Sequence, residues 1–419
     1  MPRRFRDFDQ LLSAVKKEAN NRPLCLAFAP GATQLDVYWS DAVRQTGEPH
    51  DAAVNCIQAL HVGRNYKWER GIVLFHTDGY SGGKMAQKML EFVGSFPREV
   101  SRKTINATFE VTLIQCAKRT EALPQFDPAG LGPAPNVDLA WEAKPGRERA
   151  VHRLYMMLAF ALVQSRVGNS GEGHNIGAVL VAPDGALLGW GLNTARKNYT
   201  FHAELNAIQD FYHRTNQPLP EGCRMYTTLK PCQMCAGMIR DAARRPETLR
   251  VFFAQDDQST GSTALDELQG VQRLLGRESD IFSEVPFVIS KAKALRLERL
   301  RAESDAANRL ATGWRDSRLA HRTAYLTTPT ALDVFKSASA RLIDKIDQYQ
   351  GHLQLGNPAV RKVLDHIRPF VQQMGIMAAG PAPAFGSQSA LVANDVLNDL
   401  MQEDWDSIDK AVNESQMHL

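Results

Sequence analysis

Two short segments constrain this chain more than any other part of it. The first is His202-Ala203-Glu204. The second, about thirty residues on, is Pro231-Cys232-Gln233-Met234-Cys235. One imidazole and two thiols make three candidate metal ligands, and that donor set suits zinc. Cysteines three apart share one face of a helix. Pro231 suits the first helical position, where its missing N–H costs nothing, and a helix N-terminus favours thiolates. Three protein ligands leave the fourth position to water, which is the arrangement of a catalytic zinc, and bound zinc lowers the pKa of that water to about 7. Glu204 stands two residues beyond His202 and is turned away from the ligand's own direction. It is expected to carry protons, not to bind the metal.

Each half of the pattern means little alone. A lone H-x-E is common, and a lone C-x-x-C serves redox and structural zinc sites equally well. A structural site requires a fourth protein ligand, and Cys223 is available for it. However, Cys223 opens an apparent strand, Cys223–Leu229, where a buried core cysteine is the expected role. Cys25, Cys56 and Cys116 are likewise scattered among apolar residues, so no disulfide framework is expected. A site of reduced thiolates and an N-terminus without a leader-like apolar run point to the cytoplasm. The longest strongly apolar run, Tyr155–Val163, is far short of the roughly 20 residues that cross a bilayer, so no membrane partner is expected.

A length of 419 residues implies two to three domains. The stretch Leu123–Pro135 is rich in proline and glycine, as is Met377–Gly386. The expected division is residues 1–122, a linker at 123–146, a zinc-bearing unit at 147–290 and a helical region at 291–419. Within the central unit a helix is expected over Arg147–Arg166. Strands are expected at Asn175–Ala182 and Ala186–Leu192, joined by the turn Pro183-Asp184-Gly185. Next come a helix over Ala203–His213, a strand over Arg224–Leu229 and a helix over Pro231–Arg244. A strand at Leu249–Ala254, a helix at Thr263–Leu275 and a strand at Val285–Ile289 complete the unit. The fold class is α/β, a three-layer α/β/α arrangement with a mixed five-stranded sheet, and the last two strands are parallel neighbours across a helical crossover.

With those elements in place, residues 147–290 resemble the cytidine/tRNA-adenosine deaminase superfamily. Thr228-Leu-Lys-Pro-Cys-Gln-Met-Cys-Ala-Gly-Met238 and Asn175-Ile-Gly-Ala-Val-Leu-Val181 are most similar to its tRNA adenosine deaminase branch. The resemblance implies hydrolytic deamination of an amino-nucleobase with one zinc per chain, Glu204 relaying protons to the ring nitrogen and to departing ammonia. It further implies that Asn193 hydrogen-bonds the nucleoside, that Ile176 lines the base pocket and that Ala203 makes a backbone contact. Cytosine and adenine deaminases share these motifs, so the base is left open.

The N-terminal unit reads as a broken copy of the central one. Asp51-Ala-Ala-Val-Asn-Cys-Ile-Gln-Ala-Leu60 matches His202-Ala-Glu-Leu-Asn-Ala-Ile-Gln-Asp-Phe211 at four of ten positions. Asp51 stands where His202 stands and Ala53 where Glu204 stands, while Tyr80 and Gly83 fall near the cysteine positions, so the copy has no zinc chemistry. The fold is therefore expected twice, with the inactive unit packed on the active one as an internal pseudo-dimer.

The net charge of +3 gives no strong global attraction to nucleic acid. Local asymmetry is greater: residues 291–322 carry nine Lys/Arg against four Asp/Glu, and residues 395–419 carry seven Asp/Glu against one Lys. The expected substrate is a base within RNA such as tRNA, with RNA favoured over single-stranded DNA. A deaminase of free nucleosides or nucleotides, a single-stranded DNA cytosine deaminase and a non-catalytic zinc scaffold that binds RNA or protein are the competing readings.

Overall fold

A computed structural model describes residues 3–20, 25–28, 34–40, 52–60, 73–76, 89, 109–116, 126–137, 139, 147–165 and 173–255. Towards the C-terminus it describes 335–336, 339–340, 342–343, 346–347 and 358–376.

The central unit is a four-stranded sheet among the described residues. Its strands are β6 (Gly177–Val181), β7 (Leu187–Leu192), β8 (Arg224–Leu229) and β9 (Arg250–Gln255), in the order β7-β6-β8-β9. β6 pairs antiparallel with both β7 and β8, and β8 pairs parallel with β9. The expected fifth strand, Val285–Ile289, and the helix Thr263–Leu275 lie outside the described residues.

The sheet is buried on both faces, which is why its strands read as continuous apolar runs. Val179, Val181, Tyr226 and Phe252 pack in one core with α3 (Arg147–Gln164) and the C-terminal α6 (Pro358–Gln373). Leu180, Met225 and Val251 pack in the other with α4 (Ala203–Thr215) and α5 (Gln233–Ala242). The two-residue alternation of the strands thus sends one set of side chains to each layer. No helix among the described residues is long and apolar enough to cross a membrane.

The described part of the proline-rich stretch between the units is fastened down at several points. Asp127 caps a 3-10 turn over Pro128–Gly130 by accepting from Ala129 N at 2.9 Å. Phe126 meets Phe370 of α6 edge-on at 5.7 Å. Gly132 N donates to His366 O at 3.0 Å, and a Cβ at Gly132 would lie 2.3 Å from Asp365 O, so only glycine permits this approach. Val137 N donates to Asp184 O at 2.9 Å, and Arg224 Nη2 to Leu139 O at 2.8 Å. The buried imidazole of His366 completes the attachment. Its Nε2 accepts from Leu187 N at 2.9 Å, which leaves Nδ1 as the N–H that faces Gly132 O and Pro133 O at 2.9 and 3.0 Å.

The N-terminal unit comprises β1 (Arg3–Phe5), α1 (Phe8–Glu18), β2 (Cys25–Phe28), β3 (Gln34–Ser40), α2 (Ala52–Leu60), β4 (Val73–His76) and β5 (Phe109–Gln115). Among the described residues its sheet has five strands, in the order β1-β5-β3-β2-β4. β2 pairs antiparallel with β3 and with β4, as β6 does with β7 and β8. The likeness ends at the last strand. β5 lies parallel to β3 on the far side of the hairpin, whereas β9 lies beside β8.

Helix α2 is buried over Ala52–Gln58 and packs against β2 and β3. Its Ala52, Ala53, Val54, Cys56 and Ile57 share one apolar core with Leu205, Ile208 and Phe211 of α4 and with Met234 and Met238 of α5. The two units therefore meet through the helices that the sequence comparison equates.

Candidate active site and metal centre

The site forms where two helices begin. His202 is the N-cap of α4 and Cys232 the N-cap of α5, both with extended backbone (ψ 161° and 171°). Neither side chain caps its own helix. Both turn to a common point, where Cys235, in the first turn of α5, joins them. Pro231 stands before the N-cap and not at the first helical position, which begins with Gln233. The convergence of Cys232 with Cys235 thus comes from cap geometry, in which an N-cap side chain folds back over the third helical residue. Gly191 on β7 sets the height of α4. A Cβ there would lie 2.1 Å from Ala203 O and 2.7 Å from Ala207 N, so glycine lets the first turn rest directly on the sheet.

The ligand atoms of His202, Cys232 and Cys235 all lie within 4.8 Å of one another. His202 Nδ1 is 3.4 Å from Cys232 Sγ and 3.5 Å from Cys235 Sγ, and the two sulfurs are 3.5 Å apart. A tetrahedral zinc with bonds of about 2.3 Å to sulfur and about 2.0 Å to nitrogen would place the nitrogen about 3.5 Å from each sulfur and the sulfurs about 3.8 Å apart. The triangle is slightly contracted but has the right size and shape. Its electrostatics also call for a cation. Burial opposes charge on both thiols; Cys235 is held well above the usual thiol value, while hydrogen bonding to Cys235 and the His202 imidazole bring Cys232 well below it. A divalent ion at their centre would let both sulfurs ionise. Cys223 takes no part. It is buried at the foot of β8, its thiol faces Arg224 O at 3.8 Å, and burial pushes it up to about 12. Among the described residues, no other His/Cys/Asp/Glu group has this geometry.

Glu204 lies beside the triangle, buried, with Oε2 3.4 Å from Cys235 Sγ. Burial pushes its carboxyl up, the His202 imidazole opposes that and Cys232 adds to it. A group that binds a proton more readily than an ordinary carboxyl suits proton transfer near neutral pH. Oε1 is held by Thr227 Oγ1 of β8 at 2.9 Å, and the same hydroxyl is 3.0 Å from Leu229 O. Thr227 was not foreseen as a site residue. Period-2 alternation along β8, which puts Tyr226 behind the sheet, is the one sequence signal that turns Thr227 forward.

The other expected site residues lie on the approach to α4. Asn193 follows β7; its Oδ1 accepts from His174 N at 3.2 Å and Ala195 N at 3.0 Å. Its Nδ2 is buried with no protein acceptor, leaving both of its N–H donors for a ligand. Ile176 is buried, and its carbonyl accepts from Asn193 N at 3.0 Å. Ala203 is the first residue of α4 and fully buried. In the N-terminal unit, Ala53 is buried where Glu204 would stand, while Asp51, Tyr80 and Gly83 lie outside the described residues.

A family model described as Bd3614-like deaminase matches residues 170–274. The guanine deaminase of Bacillus subtilis is 33% identical over 118 residues, which cover 28% of this chain and 72% of that protein. The chain belongs to the cytidine/tRNA-adenosine deaminase superfamily. A tRNA-specific adenosine deaminase of Agrobacterium fabrum is 33% identical over 107 residues, 25% of this chain and 67% of that one. A tRNA(Ile)-lysidine synthase of Deinococcus deserti is 31% identical over 131 residues, 31% of this chain, and the match spans 22% of the synthase's length. All of these matches leave most of this superfamily member's own length uncovered.

Proposed function

We propose that this protein is a zinc-dependent hydrolytic deaminase that converts an amino-nucleobase to its oxo form and releases ammonia. One observation carries the reading: a ligand triangle with edges of 3.4 to 3.5 Å, with a buried carboxylate 3.4 Å from one corner. Zinc held by His202, Cys232 and Cys235 would supply the Lewis acidity that makes water nucleophilic near neutral pH. Glu204 then takes a proton at Oε2, passes it to the ring nitrogen and assists departure of the amine. Thr227 holds Oε1 so that Oε2 keeps its aim. Asn193 Nδ2 donates to an acceptor on the substrate, Ile176 lines the base pocket and Ala203 makes a backbone contact.

The preferred substrate is a base within RNA, tRNA first. Similarity to tRNA-specific adenosine deaminases supports this, as do Arg196 and Lys197, which are exposed on the loop between Asn193 and His202 and suit contact with phosphate. The similarity to guanine deaminase favours a free base as the second reading. The units are proposed to form an internal pseudo-dimer with one zinc per chain. Supporting this, Gln58 and Gln209, equivalent positions in the two copies, form a reciprocal amide pair: Gln58 Nε2 donates to Gln209 Oε1 at 3.1 Å and Gln209 Nε2 to Gln58 Oε1 at 3.0 Å. Contact between equivalent residues is the mark of a two-fold interface.

The test is purified protein with unfractionated tRNA, single-stranded DNA and free bases or nucleosides, read by product mass and metal analysis. Glu204→Ala should abolish turnover and retain one zinc. Ammonia from guanine with none from tRNA would favour the second reading. A zinc-loaded wild type that acts on none of these would refute both.

A further inference from the structure

The nine residues from Asn193 to Phe201 link two parts of the site, since Asn193 opens the segment and His202 follows it. The segment closes on itself. Thr194 N donates to Phe201 O at 2.8 Å, and Asn206 of α4 reaches back to Leu192 O at 2.5 Å and Thr194 Oγ1 at 3.1 Å. At its far end Asn198 is 1% exposed, and both its amide oxygen and its amide nitrogen have partners. Its Oδ1 accepts from Thr200 N at 3.1 Å and Thr200 Oγ1 at 2.9 Å, which forms the turn. Its Nδ2 donates at 2.6 Å to Gln58 O, near the C-terminal end of α2 in the other unit.

That last bond has a structural source. The carbonyls of the last helical turn have no partner within the helix, and a buried carbonyl left unpaired is costly. Gln58 O meets that need by gripping the loop, while the Gln58 side chain grips α4 through Gln209. One residue of α2 thus holds both the loop that enters the site and the helix that carries Glu204.

We propose that the N-terminal unit, which lacks the metal-site residues, positions the substrate side of the active site through Gln58, with Asn198 as the receiving residue. The inference rests on the deaminase reading for its kinetic consequence but not for its structural one. Asn198 acts through the loop and is a positioning residue. Arg196 and Lys197 are held out to solvent by the same anchorage, so the brace also fixes where phosphates would be met.

Asn198→Asp is the selective test. The carboxylate keeps the acceptor for Thr200 and replaces the donor to Gln58 O with a second acceptor, so the link between units gives way to a repulsion between two oxygens. In full-length, zinc-loaded protein we expect amide exchange of residues 194–201 to quicken by at least about tenfold, and KM on unfractionated tRNA to rise by a similar factor, with kcat and zinc content held. Gln209→Ala removes the side-chain pair and leaves Gln58 O in place. It should leave loop exchange near wild type, and it provides the comparison if Asn198→Asp folds poorly. Unchanged loop exchange in Asn198→Asp would overturn the proposal, as would faster exchange with unchanged KM, or equal acceleration in Gln209→Ala. A wild type inert on tRNA, with the exchange difference still present, would refute the substrate reading and uphold the brace.

Discussion

Acid should weaken this protein through His152, by an amount that follows from its surroundings. His152 is fully buried on α3, its ring 4.6 Å from that of Phe252, and Nδ1 lies 2.5 Å from the hydroxyl of Tyr226. Burial, with Arg224 adding to it, lowers its pKa from 6.5 to about 3. The folded state therefore holds the imidazole neutral over a range in which the unfolded chain protonates it. The stabilisation is complete above the unfolded value and is lost as pH falls towards the folded one. Linkage puts the loss at about 2 kcal/mol on going from about pH 8 to about pH 5. The comparison is His152→Phe combined with Tyr226→Phe. Replacing both partners with apolar groups of similar shape avoids leaving a buried donor unpaired. Urea unfolding of both proteins at the two pH values gives the answer, because zinc release and other titrations are common to both and cancel in the difference. Equal losses in wild type and double variant would refute the reasoning, since they would mean that His152 is not held neutral by the fold. The point matters for the site, because Tyr226 and Thr227 are consecutive on β8, one braced by α3 and the other aimed at Glu204.

Other tests bear more directly on chemistry. Thr227→Val should lower kcat by about tenfold with zinc retained, since Glu204 loses the bond that orients it, and Thr227→Ser should restore most of the rate. Cys232→Ser should reduce zinc retention in metal analysis, and chelation should then change the melting temperature of the variant less than that of the wild type. Replacing Arg196 and Lys197 together with Glu should weaken tRNA binding and lower the slope of log affinity against log salt by about 1.4, if each meets one phosphate of a single strand. A slope unchanged by that pair would remove the loop from the RNA-binding surface.

What the sequence made legible was local. His202 with Glu204, and Cys232 with Cys235, are spaced so closely that residue type and helix geometry announce their chemistry before the fold is known. The order of the described helices and strands from Arg147 to Gln255 was legible for the same reason, because period-2 and period-3.6 patterns are properties of short windows. Asn193 was reached by resemblance, and only the fold supplied its buried, unpartnered amide nitrogen. Composition marked residues 123–135 as a linker but not residues 126–135 as fastened, because their partners at His366 and Phe370 are remote in sequence. The internal comparison aligned Gln58 with Gln209 yet held no hint that the two would touch. Thr227, Asn198 and the side of the hairpin chosen by β5 were also hidden. Each depends on which backbone groups and buried side chains must find partners once distant segments pack, and a chain read residue by residue carries no record of those distances.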